Sequence, residues 1–233
     1  MTRIIIFSDL HANWEALLSL QQAEPRPDAI LCLGDIVGYG PDPKLCLDSV
    51  RDNANHIIRG QHDLAVGNSR IRSDNALLEG TWAHTRSMLP AEDRDYLAAL
   101  PTEKTVELNG VRFYLTRFPP DDRDVETQMM VTMPQSRIRE MFGHIEADII
   151  LLGGPHIASL RQIDDKLIVC PGSLGLPRYG VSDPTFAAWQ DGQVKIHHLH
   201  YHPDETIRKL SLLPLDPEHV VHLQSTLRTG SPD

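Results

Sequence analysis

RIIIFSDLHAN, residues 3–13, sets the reading of the whole chain: four apolar residues in a row, three of them β-branched, then an abrupt polar turn carrying Asp9, His11 and Asn13. A short, continuous apolar run of this kind reads as a strand buried on both faces. Asn13 can cap the helix that follows over residues 14–22 and stops before Pro25. The unit is strand, loop, helix, and it recurs. Residues 29–33 are apolar and end in Gly34-Asp35, after which Asp42 can cap and Pro43 can open a helix to about Arg51. A third strand, residues 56–58, ends in Arg59-Gly60-Gln61-His62-Asp63. Strands alternating with helices at this spacing predict βαβ units and a largely parallel sheet. Their polar ends collect along one edge, where open α/β sheets bind ligands.

Farther out, residues 69–100 read as two helical pieces broken at Pro90, an inserted cap or lid. The second half changes character. Residues 105–108 and 111–115 flank Asn109-Gly110, a strong hairpin signal, and Asp164-Asp165 and Asp191-Gly192 mark two more, so antiparallel strands should dominate there. Between them lie a helix over about residues 136–145 and a buried strand over 148–152. From Pro203 the chain reads as a short helix and a peripheral tail, about 211–233, with residues 228–233 disordered.

A chain of 233 residues suits one α/β domain, residues 1–233. Its 22 Lys and Arg against 32 Asp and Glu, a formal net charge of -10, repel a nucleic-acid backbone, and no basic run offsets them. Cys32, Cys46 and Cys170 are too few and too scattered for a disulfide framework or a zinc ribbon, and read as small core residues. The first apolar run is too short for a signal peptide, and no stretch approaches a membrane span. A cytoplasmic protein is expected.

Asp9 and His11, two apart just past a strand, can face one point while Leu10 turns away, which is half of a metal site. Their company sharpens the reading: Gly34-Asp35, Gly60-Gln61-His62-Asp63, Gly153-Gly154-Pro155-His156 and Pro171-Gly172-Ser173 all follow apolar strands. From Arg3 to about Trp189, and most specifically in SDLHAN, CLGDIVGYGPDP and PGSLGLPR, the chain resembles the calcineurin-like metallophosphoesterases, especially their small bacterial branch. That resemblance implies a four-layer αββα sandwich of two mixed sheets between helices, and a two-metal site hydrolysing phosphate esters.

The departures from the family pattern are concentrated. Family Gly-Asn-His is Gly60-Gln61-His62 here, family His-Gly after the hairpin strand is Arg117-Phe118, and family Gly-His-x-His is Gly153-Gly154-Pro155-His156. By the resemblance, one metal is held by Asp9, His11, Asp35 and His156, all retained. The second metal's private ligands map to Gln61, Arg117 and Gly154. Gln61 keeps an amide oxygen, displaced by one methylene. Arg117 stays charged and cannot ligate a cation, so it should exclude the second metal. It can pair with Asp35, fork onto a phosphate, or swing to solvent. One divalent transition metal is therefore expected, and manganese, iron and zinc all suit two imidazoles and two carboxylates.

By the same resemblance His62 assists the leaving group, with Asp63 beside it as orienter; the alternative is a polar loop residue without a task. Arg178 can meet a substrate anion at the mouth or form a surface salt bridge. His198, His200 and His202 alternate along an expected strand and read as a solvated face, although the spacing permits an adventitious metal. Two functions fit these residues. One is a phosphoesterase acting on a phosphorylated small molecule or nucleotide, with one metal and altered activity. The other is a pseudo-phosphatase that senses such a ligand without turnover.

Overall fold

The computed structural model describes residues 2–118 and 132–231. Pro119 and Pro120 of the YLTRFPP stretch, and residues 232–233 of the expected disordered end, lie outside the described residues.

The three apolar runs of the first quarter become β1 (Arg3–Phe7), β2 (Ala29–Cys32) and β3 (His56–Ile57). They pair in parallel, with Ile4 opposite Ala29 and Leu31 opposite His56. The connections hold α1 (Trp14–Ala23) and α2 (Pro43–Asn53). Asn13 caps α1, its side-chain oxygen accepting from the Ala16 amide at 3.1 Å. Asp42 does not cap α2. Its carboxylate takes the Lys209 ammonium at 2.8 Å instead, a charge-assisted bond that outcompetes a backbone amide.

The remaining strands are β4 (Glu103–Leu108), β5 (Val111–Thr116), β6 (Ile149–Leu152), β7 (Ala158–Ile163), β8 (Lys166–Pro171), β9 (Thr185–Gln190) and β10 (Gln193–His198). The hairpin β9–β10 returns to β1, giving a mixed sheet of order β10-β9-β1-β2-β3 beside a second of order β4-β5-β6-β8-β7. All three expected hairpins form. Asn109 and Gly110 turn with φ of 52 and 75, and Asp191 and Gly192 with 49 and 84, as tight two-residue turns require. The second sheet is mixed, as the resemblance implies: β5–β6 and β6–β8 are parallel beside the antiparallel pairs β4–β5 and β7–β8. The connection from β5 to β6 carries α6 (Gln135–Phe142), the crossover that a parallel pair needs.

Alternation along β1 explains the layering. Ile4 and Ile6 face Leu31, Phe113, Leu115, Leu151 and Trp189 between the two sheets. Ile5 and Phe7 face outward under α1 and α2 with Leu17, Leu20 and Leu47. On the far side Ile138, Met141 and Phe142 of α6 cover the second sheet. The result is the expected sandwich of helix, sheet, sheet and helix.

Residues 61–99 hold α3 (Gln61–Gly67), α4 (Ala76–Met88) and α5 (Ala91–Ala99), with the last two separated at Pro90. Buried Asp93 of α5 anchors them to α2 through Arg51 at 2.8 Å and Lys44 at 3.2 Å. Two readings of the C-terminal region need correction. After α7 (Asp204–Leu210), residues 211–231 are not a tail, since α8 (Pro217–Thr229) buries Leu223 and Leu227 against Leu176, Ile207 and Leu210. Its last turn closes on Gly230, at φ 69, whose carbonyl accepts from the Gly180 amide, so residues 228–230 are tied down. His198, His200 and His202 share no strand face, because β10 ends at His198. The three cysteines are buried thiols, as expected of core residues.

Candidate metal centre

The loops after β1 and β2 are zipped together by their own backbones. The amides of Asp9, His11 and Ala12 donate to the carbonyls of Gly34, Asp35 and Ile36 at 3.0, 2.9 and 2.8 Å. The PGS turn braces them from below: the Ser173 hydroxyl donates to the Asp9 carbonyl at 2.9 Å. This support holds an unusual backbone. Asp9, His11, Asp35 and His156 all have positive φ, 56, 47, 52 and 58, in the left-handed region that side chains with a Cβ adopt only at a cost. Gly60 has no room for a Cβ either, which would meet an Asp35 carboxylate oxygen at 2.0 Å. Its bareness lets α3 begin against Asp35, whose Oδ1 accepts from the His62 amide at 2.8 Å.

Three of the four expected first-metal ligands converge. His11 Nε2 and His156 Nε2 are 3.4 Å apart, and Asp9 Oδ1 lies 4.0 Å from the first and 3.6 Å from the second. Donors bonded at 2.0–2.1 Å to one tetrahedral ion stand about 3.3 Å apart, so this triangle is of the size a transition metal needs. Asp35 groups with His11 and His62 in a second cluster that shares His11 with the first. The tautomers agree with ligation. His156 Nδ1 is 2.8 Å from the Leu176 carbonyl, which can only accept, so Nδ1 carries the proton and Nε2 a lone pair. Two facing imidazole nitrogens are held without repulsion only by a shared proton or a shared cation. His11 Nδ1 is meanwhile buried without a partner among the described residues. Burial keeps His11 well below the ordinary histidine range and lowers His156 to about 4, so neither lone pair is lost to a proton at neutral pH.

Arg117, at the end of β5, is buried and reaches into this cluster. Its Nη2 donates to Asp9 Oδ1 at 3.1 Å and Asp35 Oδ2 at 2.5 Å, while Nη1 donates to the Leu33 carbonyl at 3.1 Å. Of its three expected dispositions, pairing with Asp35 is the one present, and Asp9 is added to it. Two buried carboxylates sharing one guanidinium cannot both ionise freely. Burial and the neighbouring Asp9 push Asp35 up to about 6, and Arg117 pulls the other way. With both carboxylates ionised, the pair exceeds Arg117 by one negative charge, which a divalent ion would offset.

His62 lies beside Asp35 and edge-on to His11, ring centroids 4.8 Å apart. The Trp82 indole N–H of α4 donates to His62 Nδ1 at 3.0 Å. An indole only donates, so the imidazole proton sits on Nε2. Burial, then Arg117 and Arg178, lower His62 to about 3, leaving it a neutral donor. Asp63 is not its orienter. Its carboxylate accepts from the amides of Ile36, Val37 and Gly60 at 2.9, 3.2 and 2.9 Å, tying the β2 loop to the start of α3. Consecutive helical residues point apart, so the neighbour in sequence is no neighbour in space. Gln61 needs correction as a ligand too: it is exposed on the cleft wall while the ligand cluster is buried. Arg178 reaches the mouth with its guanidinium over the Tyr39 ring, Cζ 5.4 Å from the centroid. Among the described residues it forms no ion pair with a carboxylate. Tyr39, Trp82, Arg117 and Arg178 line the cleft of about 410 Å³ above the cluster.

The model of the calcineurin-like phosphoesterase superfamily domain matches residues 2–190. The chain belongs to that superfamily. An uncharacterised protein of Methanocaldococcus jannaschii is 26% identical over 211 residues, 83% of this chain and 84% of that one. A symmetrical bis(5'-nucleosyl)-tetraphosphatase of Chromohalobacter salexigens is 37% identical over 98 residues, 37% of this chain and 32% of that one. The crystal structure of a metallophosphoesterase from Sphaerobacter thermophilus superposes with a TM-score of 0.80 at 25% identity, covering 98% of this chain and 99% of that one. Membership brings divalent-metal-dependent phosphoester chemistry as the family's general activity, and the Asp9–His11–His156 cluster fits such an ion. Three contributors to this phosphoesterase centre carry no local signal in the sequence. They are the Gly154 amide, which donates to Asp9 Oδ2 at 3.1 Å, the Trp82 indole and the Tyr39 ring. Tyr39 stands in the CLGDIVGYGPDP stretch between Gly38 and Gly40, and its left-handed φ of 59 is seen only in the fold.

Proposed function

We propose that this chain hydrolyses phosphate mono- or diesters, nucleotide-type esters among them, with one divalent metal and with Arg117 serving in place of the second. The observation that carries the reading is the Arg117 guanidinium between Asp9 and Asp35, a fixed cation beside a triangle of metal-sized spacing. Asp9, His11 and His156 would hold the ion, with Asp35 at its edge, and Asp63 would act only through the backbone. When bound, the ion supplies Lewis acidity and an acidified water. The residues do the rest. Arg178 offers guanidinium hydrogens to phosphate oxygens, Arg117, whose Nη hydrogens are held by Ser8, Leu33, Asp9 and Asp35, adds fixed positive charge, and the His62 Nε2–H stabilises charge on the departing oxygen. Tyr39 and Trp82 keep bulk water away from these groups. The partial match to a nucleosyl-tetraphosphatase supports the nucleotide-type class.

Turnover of bis(p-nitrophenyl) phosphate and p-nitrophenyl phosphate in manganese tests this. The expected result is slow hydrolysis that EDTA or His156→Ala abolishes. Tight nucleotide binding with no ester turned over would replace the enzyme by a sensor.

A further inference from the structure

A second chamber, of about 420 Å³, adjoins the cleft over the metal cluster. Tyr39, Leu78 and Arg178 line both spaces, so the two meet at these side chains. The Tyr39 ring is a partial partition between them: its centroid is 5.0 Å from His11, 4.6 Å from His62 and 5.4 Å from Arg178 Cζ. Beyond it the walls come from α4, residues 176–179 and α8. We propose that this chamber holds the organic half of the phosphoester, a planar heteroaromatic group of nucleobase type, while the phosphate meets Arg117, His62 and the metal ligands. The inference rests on the phosphoesterase reading and names the substrate class for the same site.

Volume and lining together select that class. About 420 Å³ lies in the range of small-molecule sites and is superfluous for a phosphate alone. Tyr179 supplies an aromatic ring, and Leu176 and Leu223 apolar walls, surfaces on which a flat ring stacks favourably whatever its substituents. Asn75 and Arg178 add polar edges. An aliphatic chain would leave those polar groups facing hydrocarbon, and a bare sugar would leave the rings and leucines wet. Arg178 at the partition serves both halves of a nucleotide, as phosphate partner on one side and as a cation beside stacked rings on the other. On this reading α8 is the wall that sets specificity.

Calorimetric titration of the manganese-loaded chain with adenosine 5'-monophosphate and with inorganic phosphate tests the proposal. The variants are Tyr179→Ala and Tyr179→Asn, which remove the ring at an exposed position lining the chamber; its φ of 61 is left-handed backbone that asparagine adopts readily. The nucleotide should bind the unaltered chain at least tenfold tighter than phosphate. Each variant should weaken the nucleotide at least tenfold and shift phosphate less than twofold. A nucleotide no tighter than phosphate, variants that weaken both ligands alike, or variants that leave nucleotide affinity unchanged would overturn it. The two readings fail separately. Nucleotide binding in the expected pattern with no ester hydrolysed removes the phosphoesterase and keeps the chamber, whereas hydrolysis without nucleotide preference does the reverse.

Discussion

On one side of the centre, Asp9 and His11 are buried and His156 partly so, and the first and last are oriented by further bonds, Asp9 by the Gly154 amide and His156 by the Leu176 carbonyl. On the other, Gln61 is exposed, position 154 has no side chain, and the space beside Asp35 is filled by Arg117. The first side is organised to receive a cation, while the second contains one already. A covalently attached guanidinium is always present, cannot be exchanged or chelated, and donates hydrogen bonds where a metal would accept lone pairs. The difference teaches that charge at such a centre can be conserved while its chemistry changes.

The sharpest way to break this contrast is on the receiving side. His11→Ala or His156→Ala should lower manganese affinity at least 100-fold, because loss of an outer partner alone costs about 10- to 100-fold and these would be direct ligands. Elemental analysis after dialysis should then find the metal gone. If full occupancy survives either change, the ligand assignment is wrong.

On the other side, Arg117→Met should cost about 3–5 kcal/mol of metal-free stability, since it leaves Asp9 and Asp35 buried without their cation. Manganese should recover part of that, so the metal-induced rise in Tm should be larger in the variant than in the unaltered chain. Equal rises would mean that Arg117 and the metal do not address the same carboxylates.

The pH dependence separates the two kinds of group. With His156 lowered to about 4, imidazole protonation competes with metal only in strong acid, whereas the carboxyls take up protons earlier: burial and Asp35 raise Asp63 to about 7, and Asp35 beside the metal cluster is raised to about 6. Manganese affinity should be level from pH 8 to about 6 and fall below it by up to about tenfold per unit. The sign for metal-free stability differs by group. Depressed histidines contribute stability above about 6.5 that is lost as pH falls toward 4, and the raised Asp35 offsets part of this by binding its proton more tightly when folded. A loss of metal affinity that begins at pH 7 would point to histidines of ordinary basicity.

Trp82→Phe should have the smallest effect. It removes one hydrogen bond of about 1 kcal/mol and frees the His62 tautomer, so kcat should drop about fivefold with metal content unchanged. A change in metal content would place Trp82 in the metal's support instead.

Much of this was legible in the sequence because the signals were local. Each first-half strand ends in Gly-Asp or a similar polar stop, and each hairpin has a residue that tolerates positive φ. What was not legible depends on partners distant in the chain. An apolar run does not say which direction its neighbour takes, so which pairs of the second mixed sheet run parallel, β5–β6 and β6–β8, was not legible. Asp63 was misread because adjacency in sequence was taken for contact. Trp82 comes 20 residues after His62, from a helix with no motif. The α8 signals were present in Pro217 at the first turn and Gly230 after the last, and its partner Leu176 lies far upstream. A return to two metals would need ligands at Gln61, Arg117 and Gly154. The Gly154 φ of 104 strains any side chain, so Gly154→His should add little, and Gln61→Asn with Arg117→His should supply most of any gain.

Anomalous scattering from a manganese-soaked crystal tests the one-metal, one-arginine centre most directly, since it counts the ions and places them. A single peak among Asp9, His11 and His156, with Arg117 still between the carboxylates, is the expected result; two peaks about 3.5–4 Å apart would contradict it.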